Sequence, residues 1–336
     1  MEASPSKELP MLMNQTEPRV TFADVALSHT EKRWDGHWLK RVLDVVEWQP
    51  FRKRLQKRYA REMGRPAWEP ILLFRCLLLA QWYGLSDRQL EEAVEFRIDF
   101  RKFVGLPLEQ EDPDATTFGE FRKRMLPISH RLMKIMTKQL ENAGFKVKHA
   151  VSVDATLVES HSRPKGGEGG DDDADWRGFP TKTLSNEQGQ KVITRRPALH
   201  GYKIHLTSTV GRGFVTECLM TAASVHESQC MEEIIDLDTG KVYGDKGYYG
   251  CKKTLAKMGI GDGIQDKGFR NHPLTATQIN RNKRITKPRR IVEGVFGAWK
   301  QWYRWRKTKY VGLVRNQLAV ILTALSWNMK KWAFAT

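Results

Sequence analysis

Residues 146–158 read KVKHAVSVDATLV, and within them the pattern of the chain changes. Val151, Val153, Ala155 and Leu157 alternate with Ser152, Asp154 and Thr156, which is the period-two pattern of a strand. Everything before it, from Thr30 to about Gly144, has helical periodicity and many charges. Trp38, Val42, Val45 and Val46 recur at helical spacing until Pro50 interrupts, and Arg52, Lys53, Arg54, Lys57, Arg58 and Arg61 then form a basic helical face. Pro66 and Pro70 stand where a helix starts, and residues 71–83 are apolar around most of the circumference, so that helix belongs inside its own domain. Gly84-Leu85 breaks it, and Ser86-Asp87-Arg88-Gln89 has the form of a capping box opening the next. Helix, tight turn, helix is the outline of a helix-turn-helix, an outline shared by any helical hairpin. Thr117-Phe118-Gly119-Glu120 is a second candidate capping box, followed by an expected kink at Pro127.

Downstream of the opening strand the pattern is mixed. Residues 159–198 contain Gly166-Gly167-Glu168-Gly169-Gly170 and then Asp171, Asp172, Asp173 and Asp175, a composition that predicts a mobile, solvated loop. Strands are expected at 201–209 and 214–222, joined through Gly211-Arg212-Gly213, then at 241–244 and 259–265. Helices are expected at 227–237 and 252–258, and from Thr275 to the C-terminus. Strands first, then strands alternating with helices, describe an α/β domain with a mixed sheet. The domain reading is a loose tail at 1–29, a helical region at 30–145, and an α/β domain at 146–336.

The 336 residues are 40% apolar, enough for a sizeable core. Lys and Arg number 56 against 39 Asp and Glu, a formal charge of +17, and the isoelectric point is near 9.7. Such an excess attracts polyanions, with nucleic acid the leading partner class and an anionic membrane surface the competitor. Cys76, Cys218, Cys230 and Cys251 form no CxxC pair, which argues against a structural zinc site and a secreted disulfide scaffold. Residues 1–18 are polar and carry Glu2, Glu8 and Glu17, so no signal peptide is expected, and the longest apolar run contains Arg75. A cytosolic protein that handles nucleic acid is the expectation.

Against this basic background certain acids stand out. Between Arg281 and Arg315 the chain is dense in Lys and Arg and holds a single acid, Glu293. Arg289 and Lys300 fall on the same helix face, so a salt-bridged surface helix is one explanation. A DNA-facing helix would gain affinity by losing Glu293, and its presence suggests a metal ligand. Asp154 sits among apolar residues of a strand, and Asp245 ends a second strand. Such carboxylates are costly to desolvate unless something cationic satisfies them. Two hard divalent ions about 4 Å apart can clamp the attacking and leaving oxygens of a phosphodiester. Asp154, Asp245 and Glu293 supply the negative charge such a pair needs.

These residues resemble the bacterial insertion-sequence transposases of the insertion-sequence-five (IS5, IS4/IS5-like) family, a group named for its Asp-Asp-Glu (DDE) acids. The resemblance runs from Thr21 over nearly the whole chain. Gln81-Trp82-Tyr83-Gly84-Leu85-Ser86-Asp87 is similar to the family's helical N-terminal region. Asp112-Pro113-Asp114-Ala115-Thr116-Thr117 with Phe121-Arg122 is similar to its next signature. Val153-Asp154-Ala155-Thr156 and Gly244-Asp245-Lys246-Gly247-Tyr248 match the blocks around the two catalytic aspartates. Arg289, Glu293 and Lys300 match the family's Tyr-x2-Arg-x3-Glu-x6-Lys helix, except that Thr286 stands in place of the tyrosine. The interval from Asp245 to Glu293 leaves no room for the large β-insertion of some relatives.

The resemblance implies a ribonuclease-H-like catalytic domain with a mixed five-stranded sheet and flanking helices, preceded by an all-α DNA-binding and dimerisation region. It implies Asp154, Asp245 and Glu293 as catalytic and metal-binding residues for two Mg²⁺ ions, with Mn²⁺ able to substitute. Arg289 and Lys300 are implied to contact phosphates, and Arg290, Arg304 and Lys246 join them as candidate DNA contacts. The partners are double-stranded DNA, as terminal inverted repeats and target, and a second copy of the chain, in a bacterial cytoplasm at the nucleoid. The aromatics Trp299, Trp302, Tyr303, Trp305 and Tyr310, interleaved with basic residues, are expected mostly in the core. His200 and His205 alternate to opposite faces of a strand, and His226 is expected to start a helix. A repressor without transposition activity and a two-metal nuclease are the alternatives.

Overall fold

Helix starts in the N-terminal part of the chain are set by local side-chain chemistry, as the computed structural model shows. It describes residues 31–59, 67–162, 170–179, 182–185, 191–194 and 197–335. The expected tail, Arg61, Pro66 and Gly166 to Gly169 lie outside the described residues. Two compact units result, one from the residues up to 145 together with those from 321 onward, the other Lys146–Val320. The first thus takes in residues from 321 on, which the sequence reading assigns to the α/β domain.

The helical unit contains α1 (Glu31–Asp35), α2 (Trp38–Val45), α3 (Trp48–Gln56), α4 (Pro70–Tyr83), α5 (Asp87–Phe96), α6 (Ile98–Val104), α7 (Ala115–Met125) and α8 (Ser129–Asn142). Pro70 opens α4, where a missing N–H costs nothing, and the Glu69 side chain accepts from the Ile71 N–H. Nearly every residue of α4 is buried, as its uniform apolarity requires. Gly84 ends it, and Ser86 and Gln89 form the expected capping box at α5. Arg122 of α7 is ion-paired to Asp87 of α5. Two local expectations are corrected. Pro50 does not end a helix but lies in the first turn of α3, where its lack of an N–H is harmless. Asp114, not Thr117, caps α7, its carboxylate accepting from the Thr117 N–H at 2.6 Å. The expected basic face on α3 is also partly internal, because Arg52 pairs with buried Glu69 at 2.9 Å. A 3-10 turn at Leu126–Ile128 separates α7 from α8 where Pro127 predicts a kink.

The α/β unit is built on β1 (Val151–Glu159), β2 (Asp175–Arg177), β3 (Lys182–Ser185), β4 (Lys191–Thr194), β5 (Leu199–Thr209), β6 (Val215–Ala222), β7 (Lys241–Gly244) and β8 (Gly261–Ile264). The main sheet runs β2-β5-β1-β7-β8, with β6 also on β5, while β3 and β4 form a separate ribbon. β5 is antiparallel to β1, β2 and β6, and β1, β7 and β8 are mutually parallel. The helices α9 (Met231–Ile234), α10 (Lys252–Lys257) and α11 (Ala276–Trp302) follow the strands. Alternation along β1 decides what each face meets. Val151 and Val153 enter an apolar cluster with Met231, Ile234, Tyr248 and Leu255. Ser152 points the other way and donates to the Pro288 carbonyl of α11 at 2.7 Å.

The stretch expected as a mobile loop is corrected by the described residues. It contains β2, β3 and β4, and Asp171 is buried at 3% exposure. Asp171 accepts from the Ser160 hydroxyl at 2.8 Å, the Tyr202 hydroxyl at 2.5 Å and the Gly312 N–H at 3.1 Å. Asp173 accepts from the Leu313 N–H at 2.7 Å. Two acids of the run therefore hold the N-terminus of α12 (Leu313–Ala333), where negative charge is favourable.

α12 begins in the α/β unit, where Gln317 bonds the Met220 N–H and the Cys218 carbonyl of β6. From Ile321 it belongs to the helical unit. There the Trp82 indole donates to the Ser326 carbonyl at 2.8 Å, and Lys330 lies 4.5 Å over the Trp38 ring. Leu322, Leu325 and Met329 are buried at 1%, 0% and 0% exposure. Each such side chain contributes about 1.5–3 kcal/mol, against a usual domain stability of about 5–15 kcal/mol. A chain ending at residue 320 is therefore expected to lose cooperative unfolding of its helical unit. Thermal melts followed by circular dichroism, with limited proteolysis between residues 31 and 145, check this; an unchanged melt would show that the segment is dispensable.

Candidate active site

The parallel pairing of β1 and β7 puts the two aspartates on neighbouring strands of the sheet. Val151 lies opposite Val242 and Ser152 opposite Tyr243, and the Asp245 charge acts on the Asp154 carboxyl. Asp154 shares the face of Ser152 and so looks toward α11. Asp245 ends β7 and caps a 3-10 turn at Lys246–Cys251, its Oδ1 accepting from the Gly247 N–H at 2.8 Å. The neighbouring glycines are required by close approach. A Cβ on Gly247 would lie 2.9 Å from Asp245 Oδ1, and one on Gly244 would lie 3.2 Å from a Val153 methyl and 3.4 Å from the Tyr248 ring.

The third acid arrives on α11. That helix is fixed by a capping box at Thr275 and Gln278 and by bonds to the end of β8. Arg281 reaches the Ile264 carbonyl at 2.7 Å and Asp266 at 3.0 Å, while Asn282 bonds the backbone of Asp266 on both sides. Thr286, at the motif's tyrosine position, donates to the Asn282 carbonyl at 2.9 Å and accepts from Gln265 at 3.2 Å. Glu293 follows two turns later and pairs with Arg289 at 2.5 Å.

The electrostatics tie these groups together. Burial raises the Asp154 carboxyl to about 6; the Ala155 N–H opposes this, Asp245 and Glu293 add to it, and Arg289 offsets part of it. The Lys300 ammonium is pushed down by burial and by Arg306, with Asp154 pulling the other way. Asp245, Glu293, Arg289 and Lys300 are thus each within electrostatic reach of Asp154. Among the described residues, no three His, Cys, Asp or Glu side chains are gathered closely enough to hold a metal ion, and Glu293 is engaged by Arg289. Even so, the donor set suits a hard cation. Two partly buried carboxylates on neighbouring strands leave negative charge that one guanidinium only partly balances.

The remaining candidates divide by exposure. Arg290, Arg304 and Lys246 are exposed, and Arg304 takes up a left-handed backbone at φ 59° just past α11. Trp299, Tyr303 and Trp305 are core residues at 0%, 5% and 1% exposure, whereas Trp302 is 66% exposed. His226 caps the 3-10 turn at Glu227–Cys230, as a helix-start residue would. His205 is buried and pushed down to about 4, chiefly by burial, so it is neutral. Sequence reading missed Lys203, which is only 2% exposed and pairs with Glu227 at 3.0 Å. The signal was a lysine within the otherwise apolar and aromatic run Tyr202 to Leu206 of a central strand.

Residues 146–329 match the family model described as transposase DDE domain, and residues 28–124 match a transposase domain (DUF772). The chain is 31% identical over 209 residues to the transposase for insertion sequence element IS1106 of Neisseria meningitidis serogroup B, covering 60% of this chain and 72% of that relative. The chain belongs to the insertion-sequence DDE transposases. The transposase is accordingly a DNA-cleaving and DNA-transferring enzyme, its α/β unit has the ribonuclease-H-like fold of DDE domains, and such domains work with divalent metal ions. No solved structure matches the transposase at a significant level. Among the described residues no helix is long and apolar enough to cross a membrane.

The raised Asp154 carboxyl makes the transposase less stable as pH rises. Its folded value of about 6 exceeds the ordinary 3.8, so the folded state holds a proton that the unfolded chain releases from about pH 4 upward. Stability falls between those two values and levels off above about pH 6. Asp154→Asn is expected to add about 1–3 kcal/mol above pH 6 in EDTA, and nothing near pH 4. Denaturant titrations of both proteins across that range check this; a gain independent of pH would place its origin outside the carboxyl.

Proposed function

We propose that the transposase binds the terminal inverted repeats of its own insertion sequence, cuts at the element ends and joins the freed ends to target DNA. Within the DDE group we assign it to the insertion-sequence-five family, on the spacing of Arg289, Glu293 and Lys300. The observation that carries the reading is a buried carboxyl, Asp154, lying under the charges of Asp245 and Glu293 in a chain of strongly basic composition. A protein that only binds DNA gains nothing from such a cluster beside phosphates.

In the first step a water oxygen bonds to phosphorus, the bond to the 3′ oxygen breaks, and that oxygen leaves as a hydroxyl. In the second, the 3′-hydroxyl loses its proton, bonds to a target phosphorus and displaces the target's own 3′ oxygen. Each step exchanges one phosphoester bond, so neither needs an external energy source. Two Mg²⁺ ions, for which Mn²⁺ would stand in, would supply stabilisation of the charge on the attacking and leaving oxygens. Asp154 and Asp245 would hold them from the sheet and Glu293 from α11. Glu293, now paired with Arg289, would be available to an ion only when released from it, and the Arg289 guanidinium would then be free for a phosphate oxygen. Lys300, without an ion-pair partner among the described residues, is placed to meet a second phosphate, with Arg290, Arg304 and Lys246 as outer contacts. The helical domain, residues 30–145, would select the element ends, and a dimer would hold two of them together in the bacterial cytoplasm, at the nucleoid.

Asp154→Asn, Asp245→Asn and Glu293→Gln are each expected to reduce strand cleavage of an end-bearing duplex by at least about a hundredfold. Binding of the same duplex should stay near that of the wild type, and a variant that still cleaves normally removes its residue from the site. Lys300→Ala should flatten the salt dependence of end binding by about 0.9 in log–log slope, the effect of one lost phosphate contact. An unchanged slope would separate Lys300 from phosphate. Cleavage without any joining of ends to target would favour a nuclease.

A further inference from the structure

Two stretches of the helical unit carry cations and no acid. Residues 48–59 hold Arg52, Lys53, Arg54, Lys57 and Arg58, and residues 121–140 hold Arg122, Lys123, Arg124, Arg131, Lys134 and Lys138. The fold brings these stretches together. The Gln139 side chain of α8 bonds the N–H and the carbonyl of Glu47, at the start of α3, at 3.0 and 2.7 Å. At the other end Arg124, which stands at the end of α7 shortly before α8 begins, lies 4.8 Å over the ring of Tyr59, just past α3. α3 and α8 therefore run beside each other in opposite directions.

Both turn basic residues to solvent. Arg131, Lys134 and Lys138 recur three and four residues apart, which places them on one face of α8, and all three are exposed. Lys53 and Lys57 are exposed four residues apart at the end of α3, and Arg58 is exposed beside them. Lys138 lies 3.8 Å from Glu141. Lys53, Lys57, Arg58, Arg131 and Lys134 have no ion-pair partner among the described residues. Several other surface cations of the unit are paired, Lys40 with Asp44, Arg97 with Asp99 and Lys102 with Glu31. The α4–α5 hairpin, which has the helix-turn-helix outline, is charged the other way. α4 is almost wholly buried, and α5 exposes Glu92, Glu95 and Phe96 against one cation, Arg88. Laid in a groove, α5 would bring two carboxylates up to phosphates, which repel them.

We propose that the joint face of α3 and α8, and not the α4–α5 hairpin, is where the helical unit meets the phosphate backbone of duplex DNA. The inference rests on the reading that this unit binds DNA, and it narrows that reading to one surface.

Full-length protein tests it, by binding titrations on an end-bearing duplex and on a scrambled duplex of equal length, at several salt concentrations without divalent metal. Arg131→Ala combined with Lys134→Ala should flatten the log–log salt slope by about 1.8, because each lost phosphate contact removes about 0.9. Lys53→Ala combined with Lys57→Ala should do the same. Alanine at exposed helical positions preserves the helix, and thermal melts of each variant check that it does. Arg88→Ala should leave the slope unchanged. A wild-type slope in either double variant, or a flattened one in Arg88→Ala, overturns the inference. Slopes that change as expected while the wild type binds both duplexes equally support the α3–α8 face and overturn recognition of the element's own ends.

Discussion

Negative charge held on two neighbouring strands of the sheet is the constraint on which the rest of the α/β unit depends. Asp154 lies on a central strand and Asp245 at the end of its parallel neighbour, and burial lifts the Asp154 carboxyl to about 6. Keeping such groups together without a counter-ion requires a rigid frame. The strand-end sequence Gly244 to Tyr248 meets this need with two glycines that leave space for the Val153 and Tyr248 side chains and for the Asp245 carboxylate. α11 meets it by anchoring one end to β8 through Arg281 and Asn282, and its middle to Ser152 through the Pro288 carbonyl. The individual ion pairs there are partly exposed and weak taken singly. Their value is geometric, since they fix the rotation of α11 that sends Arg289 and Glu293 toward β1.

The parts of this arrangement legible in the sequence were those encoded by local pattern. The alternation around Asp154, the short strand before Asp245 and the isolated acid at 293 each carry a signal within a few residues. So do the capping box at Ser86 and the wholly apolar α4. What was not legible depended on partners distant in the chain. The acidic run at 171–175 has the composition of a solvated loop, yet Asp171 bonds Tyr202 and Gly312 and is buried. Asp114 and Thr117 are both competent caps, and the choice between them follows from where α7 begins. Lys203 stands out within its strand, but its burial makes sense only once Glu227 is brought beside it.

The last helix has a consequence for how the protein is made. Residues up to 145 leave the ribosome first, and domains ordinarily close in that order. Here the helical unit needs Ile321 and the residues after it, so the whole α/β unit is synthesised before the first unit can finish its core. At about 5–20 residues per second that interval lasts on the order of ten seconds or more, during which the apolar face of α4 lacks its final cover. Translation therefore acts as a check on the product. A chain released early carries its acids on a sheet already made, but its helical unit remains unclosed.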